Sequence, residues 1–109
     1  MTLLRIFKDC DINYYVNDNI ITLDLSAEHR VTVYTRDKNF SKFVLTLSSD
    51  ADVNDLNSRI RCLKFVKTDK EKIDVIAEIP ETLFDHEYAL RAAIIETLIR
   101  FELFYERII

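Results

Sequence analysis

The sequence predicts a single α+β domain spanning residues 1–109: an antiparallel sheet, made of a meander plus a hairpin, with a short N-terminal helix, a short middle helix and a long C-terminal helix. Three observations carry this. Apolar and polar residues alternate in short runs between positions 13 and 47, the signature of strands with one buried face. Over residues 80–109 the apolar spacing changes to three and four, the period of a helix. The 109 residues include no glycine, so tight turns fall to Asn and Asp, which tolerate left-handed backbone best after glycine.

Each element has a local cause. Leu3, Leu4, Ile6 and Phe7 share one helical face in a first helix that ends near Cys10 and is too short to persist unpacked. Strands are predicted over residues 13–16, 20–25, 30–35 and 42–47, with Ile21, Leu23 and Leu25, then Val31 and Val33, then Phe43, Leu45 and Leu47 pointing inward. The spacers Asn17-Asp18-Asn19, 26–29 and 36–40 are short and polar, which suits antiparallel neighbours. Ser49, Asp50 and Asp52 open a short helix with Val53, Leu56 and Ile60 along one face. Residues 63–66 and 73–79 form a hairpin around Thr68-Asp69-Lys70-Glu71. Pro80 stops the second of these strands, and Thr82-Leu83-Phe84-Asp85 reads as a capping box for a final helix of about 25 residues and about 37 Å. Glu81, Asp85 and Glu87 sit near its positive end and Arg100 and Arg107 near its negative end, with Glu87–Arg91 and Glu96–Arg100 in the favourable i, i+4 order.

That helix has more apolar surface than one core contact can cover. One ridge runs through Leu90, Ile94, Leu98, Phe101, Tyr105 and Ile108; a second, roughly 120° or more around the cylinder, runs through Tyr88, Ala92, Ile95, Ile99 and Leu103. One ridge serves the chain's own core. The other is left for a second copy, a client protein or the curled edge of a twisted sheet. Left in water, Ile95, Ile99 and Leu103 each forgo roughly 2 kcal/mol of burial, against the roughly 5–15 kcal/mol that holds a domain folded. Tyr88, Ala92, Ile95, Ile99 and Leu103 are therefore the candidate partner-binding residues.

Chemistry is harder to find. Without glycine there is no dinucleotide-binding turn, P-loop or nucleophile elbow, because each needs bare backbone or positive φ. Asp85-His86-Glu87 puts a histidine between carboxylates, but consecutive helical residues diverge by about 100° and cannot converge on one ion, so a charged first turn serving the helix dipole is the simpler reading. Only His29 is left to join such a site, and two histidines with two distant cysteines match no metal motif. Cys62, beside Arg61, and Cys10 read as small buried hydrophobes, with no histidine base tied to either thiol. Among the aromatics Tyr14, Tyr15, Phe101, Phe104 and Tyr105, core roles are expected, with Phe101 and Tyr105 inside and Phe104 at the boundary. No catalytic, cofactor or metal site is expected, and the chain reads as a non-enzyme.

Formal charge is −3 over residues 1–58, +4 over 59–72 and −5 over 73–109, which gives the −4 of the whole chain. The basic stretch holds Arg59, Arg61, Lys64, Lys67, Lys70 and Lys72, yet Asp69 and Glu71 interrupt it. A lysine-protected sheet edge explains it better than a phosphate-binding strip, so nucleic acid is not an expected partner. The opening residues lack a signal-peptide core and no apolar run is long enough to span a membrane, so cytoplasmic residence with free thiols is expected.

Residues 56–108, with the run DLNSRIRCLKFVKTDKEKIDVIAEIP and a long aromatic-rich helix after it, resemble the YbjN-type domains, which share the fold of type III secretion chaperones. The matching pieces are Leu56-Asn57, Phe65, the charged hairpin turn, Ala77-Glu78-Ile79-Pro80 and Tyr105. The chain departs from that pattern in its glycine-free hairpin and short first helix. The resemblance implies helices on one face of a curved antiparallel sheet, pairing into homodimers, and binding of polypeptide rather than conversion of a substrate. The functional expectation is a chaperone-like or regulatory protein-binding module. The alternative is a small acidic inhibitor or immunity protein, of a viral kind, that binds one macromolecule; a cryptic enzyme around His86 or Cys62 is the third reading.

Overall fold

Alternation between buried and open positions along each strand organises the molecule, and the computed structural model, which describes residues 2–18, 20–37 and 40–108, shows where the buried set goes. Six strands, β1 (Tyr14–Asn17), β2 (Ile20–Asp24), β3 (Arg30–Asp37), β4 (Phe40–Ser48), β5 (Lys64–Asp69) and β6 (Lys72–Pro80), form one antiparallel sheet in the order β1-β2-β3-β4-β6-β5. The helices are α1 (Thr2–Asp9), α2 (Val53–Arg59) and α3 (Glu87–Ile108), with a 3-10 turn over Glu81–Asp85. The fold is α+β, as expected.

The meander covers β1 to β4, and the hairpin then enters the sheet second strand first. β6 lies against β4 along its whole length, from Phe40↔Pro80 to Ser48↔Lys72, and pushes β5 to the edge. Composition explains this choice. Ile73, Val75, Ala77 and Ile79 of β6 are all buried, as a central strand requires, whereas β5 buries only Phe65 and exposes Lys64, Val66 and Lys67. Pro80 stands at the last pair of β6, where a missing N–H does least harm.

One face of the sheet holds the core. The cross-strand rows Leu23–Val31–Leu45–Val75–Phe65 and Ile21–Val33–Phe43–Ala77 pack beneath Leu3, Ile6 and Phe7 of α1, Leu56 of α2 and Leu90, Ile94 and Phe101 of α3. Phe7 meets Phe43 edge-on with ring centroids 6.4 Å apart, and Phe65 meets Phe104 at 4.9 Å. The opposite face, with the row Tyr15–Thr22–Thr32–Val44–Ile76–Lys64, carries no helix among the described residues.

Asn and Asp do take over glycine's role. Asp11 and Asp18 are the positive-φ residues among those described, at 56° and 55°. Asp18 lies in the β1–β2 turn; its neighbour Asn19 falls outside the described residues. Asp11 closes α1: Ile12 N–H donates to the Phe7 carbonyl at 2.9 Å and Asp11 N–H to that of Lys8 at 3.2 Å, the paired bonds of a left-handed helix terminus that glycine usually supplies. Ile12, half-buried, packs on the core. At α2, Asp52 caps the first turn by accepting from Asn54 N–H at 2.9 Å.

The start of α3 differs from the expected capping box. Residues 81–85 form a 3-10 turn with no side-chain cap, because half-buried Leu83 and Phe84 are drawn onto the core and tighten the chain there. The α-helix begins at Glu87, its first bond running from Leu90 N–H to the His86 carbonyl at 2.9 Å. At 22 residues it is about 33 Å long. The expected Glu87–Arg91 pair is also rearranged. Glu87 pairs with Arg5 and Arg91 with Asp9 at 3.4 Å, so two successive turns of α3 are tied to two successive turns of α1, which runs parallel beside it. The Glu96–Arg100 pair forms as expected.

Candidate functional site: an uncovered face of the C-terminal helix

A helix of this length on a sheet buries one side and leaves the other to its own sequence. Here the buried side is Leu90, Ile94, Leu98, Phe101 and Phe104. About 160° around the cylinder stand Tyr88, Ala92, Ile95, Ile99 and Leu103, all of them exposed. Tyr88 is 88% exposed, Ile95 39%, Ile99 49% and Leu103 48%. The structure thus places all five sequence-predicted residues together in one continuous stripe along α3. The stripe is flanked by exposed Glu96 and Glu102.

At its C-terminal end the stripe opens into a groove of about 540 Å³ between α3, α2 and the loop leading to β5. Leu56, Ile60, Leu63 and Phe104 make its floor and Leu103 forms one wall, while Arg59 and Arg100 stand at the rim. Neither arginine is a free charge: Arg59 pairs with Asp55 at 2.9 Å and Arg100 with Glu96. The wall of α2 is held in place by Asn57, whose side-chain amide donates to the Phe65 carbonyl at 2.8 Å and whose oxygen accepts from Phe65 N–H at 2.9 Å. That bidentate clamp locks α2 onto β5. A helix-period reading of residues 53–60 finds Leu56 but cannot show that Ile60 and Leu63 would face Leu103.

Several expected positions move. Cys62 is exposed at the lip of the groove rather than buried, because residues 61–63 form the bend between α2 and β5 and only Leu63 turns inward. Cys10 is half-buried and rests on the core. Phe104 is the buried aromatic, at 6% exposure, and Tyr105 is the boundary one. Tyr105 is held there by His29 of the β2–β3 loop, stacked on its ring at 3.9 Å, with His29 Nδ1 3.0 Å from Ser26 Oγ. His29 therefore faces Tyr105, and His86 is an exposed cap residue of α3. Tyr15, expected in the core, is 59% exposed, while Tyr14 leans on Phe7 at 6.1 Å. The side chains of Arg107 and Ile108 fall outside the described ones. Among the described residues, no three His, Cys, Asp or Glu side chains gather to hold a metal, and no helix is long and apolar enough to cross a membrane.

No protein-family model and no curated protein matches this chain.

Proposed function

We propose that the protein is a non-enzymatic, chaperone-like or regulatory binding module that holds a polypeptide partner on the apolar stripe of α3 and in the groove beside it. Reducing cytoplasm is its proposed setting, which the free thiols of Cys10 and Cys62 suit, and the homodimer its proposed state. The observation that carries the reading is the concentration of apolar exposure. Of nine exposed large hydrophobics among the described residues, four lie on this one helical stripe. Together with Ala92 they present roughly 500 Å², in the upper part of the range covered by the largest patch on a typical monomer. Covering that area is worth about 12 kcal/mol before the costs of association are subtracted. The order of elements supports the secretion-chaperone-like reading; the weight rests on the stripe.

Photo-crosslinking tests it. With benzoylphenylalanine at Ile99, a discrete polypeptide adduct is expected in cells, and none with the same group at Thr46 on the far sheet face. With the photoreactive group moved to Ile95, Ile99→Glu, read by affinity capture of the crosslinked species, is expected to lose the adduct. Equal labelling from both positions would remove the basis for a docking stripe.

The acidic-inhibitor reading draws support from Glu102 and Glu106, exposed on the same side of α3, whereas Glu96 is paired with Arg100. It separates cleanly by salt. Binding through these carboxylates falls steeply between low and high ionic strength and survives Ile99→Glu, whereas apolar docking shows the reverse.

A further inference from the structure

The second concentration of exposed apolar residues lies at the other end of the molecule. Tyr15 (59%), Val16 (52%), Ile20 (42%) and Tyr34 (43%) cluster where β1 forms the outer edge of the sheet. The two sheet edges are treated differently. At β5 the outward backbone groups of Phe65 are taken by the Asn57 side chain, and Lys64 and Lys67 guard the strand. At β1 the segment Ile12-Asn13-Tyr14-Tyr15-Val16-Asn17 carries no charge at all.

The register fixes which groups face out from β1. Asp24 N–H donates to the Asn13 carbonyl at 3.1 Å, so 13/24 is a hydrogen-bonded pair. Alternation then makes Tyr15/Thr22 and Asn17/Ile20 bonded and leaves Tyr14/Leu23 and Val16/Ile21 unbonded. The N–H and C=O of Tyr14 and Val16 therefore point away from β2, toward the open edge. Two residues with outward groups, flanking one without, make an edge that matches itself under a two-fold axis.

We propose that two copies of this chain join through their β1 edges, antiparallel about Tyr15, to form one continuous sheet across the dimer. Tyr14 of each copy pairs with Val16 of the other through four backbone hydrogen bonds, and Tyr15 meets its own mate on the helix-free face. Val16, left bare at the edge on the helix side, is covered by the partner's Tyr14. In this register Asp18 falls opposite Ile12, so no acidic residue of one strand confronts one of the other. A second copy is thus the occupant that the edge's own symmetry and neutrality fit. The inference takes from the proposed function only the homodimer and leaves the α3 stripe free for a different polypeptide.

Light scattering on purified protein over a concentration series, with hydrogen exchange by NMR, tests it. A monomer–dimer equilibrium is expected, with the Tyr14 and Val16 amides gaining at least tenfold protection as the dimer forms and the Tyr15 amide protected throughout. Val16→Pro removes an outward N–H that β2 does not use, and Tyr15→Lys sets two like charges across the axis. Both are expected to weaken dimerisation at least tenfold with an unchanged circular dichroism spectrum, while Ile99→Glu leaves it intact. A dimer lost with Ile99→Glu but kept in Val16→Pro and Tyr15→Lys overturns the β1 edge and retains the homodimer. Wild-type monomer up to about 1 mM overturns both, without touching the crosslinking result that decides the α3 stripe. Protection of Tyr14 and Val16 that appears only when an extended peptide is added assigns the edge to another protein and likewise overturns the proposal.

Discussion

The two sides of α3 are nearly equal in apolar content and opposite in fate. Leu90, Ile94 and Phe101 have no exposed surface, while Ile95 and Ile99, one step further around the same turns, keep 39% and 49% of theirs. Hydrophobicity alone does not separate them. What separates them is the supply of opposing surface: the sheet offers one apolar face, α1 and α2 flank it, and no other described element lies on the outer stripe. A helix evolved only to close this core would carry Lys, Glu or Gln at positions 95, 99 and 103. Folding accounts for the inner side; the outer side is left to the association proposed for it.

The largest expected effect comes from the inner side. Phe101 is fully buried on the core face of α3. Phe101→Ala is expected to cost about 3–5 kcal/mol, the sum of lost transfer energy and an unfilled cavity. Urea denaturation with an unchanged m-value measures it; a loss below about 1 kcal/mol would mean that α3 is loosely seated and that its two faces differ less than their burial says.

Much of this contrast was legible in the sequence because it depends on periodicity. Most inward strand residues, the three helices and the outer stripe of α3 follow from 2.0 and 3.6 spacing; Leu25, half-buried just past the end of β2, does not, and α3 starts at Glu87, about five residues later than its spacing predicts. The features that escaped depend on contacts between distant segments. Nothing local to Glu87 or Arg91 says that α1 will lie alongside and draw both away from their i, i+4 pairing. The insertion of β6 between β4 and β5 is a choice among sheet orders that the hairpin alone leaves open. Asn57 was noted only as part of a resemblance, yet its amide holds the backbone of Phe65 and so builds one wall of the groove. Asp11 is the intermediate case. Glycine's absence predicts that Asp or Asn will take positive φ, but which Asp closes α1 emerges only with the helix end itself.

An intermediate effect is expected at the border between the two sides. Tyr105 is half-buried, and its ring stacks on His29 at 3.9 Å, pinning the β2–β3 loop to the last turns of α3. Tyr105→Ala removes that stack and part of its apolar contact, for an expected loss of about 1–2 kcal/mol. Hydrogen exchange should localise the change to the Leu25 and Ser26 amides, which donate to the His29 carbonyl at 2.9 and 3.1 Å. Loss of protection spread evenly over the sheet would instead place Tyr105 with the core.

The smallest expected effect on folding is at the centre of the outer stripe. Ile99→Lys gives up the covered half of an isoleucine, but lysine's stem can lie over the same neighbours, its helix propensity is better, and Glu96 and Glu102 stand one turn away on either side. These terms nearly cancel, so stability of the dilute, partner-free protein should stay within about 0.5 kcal/mol of wild type. The same substitution should abolish the crosslinked adduct expected from the stripe when the photoreactive group is moved to Ile95. That pairing of a silent change in folding with a complete change in association is what a surface maintained for a partner requires. If Ile99→Lys instead costs as much as Tyr105→Ala, the outer stripe is helping to hold the chain's own fold, and the contrast between the two sides of α3 fails at its centre.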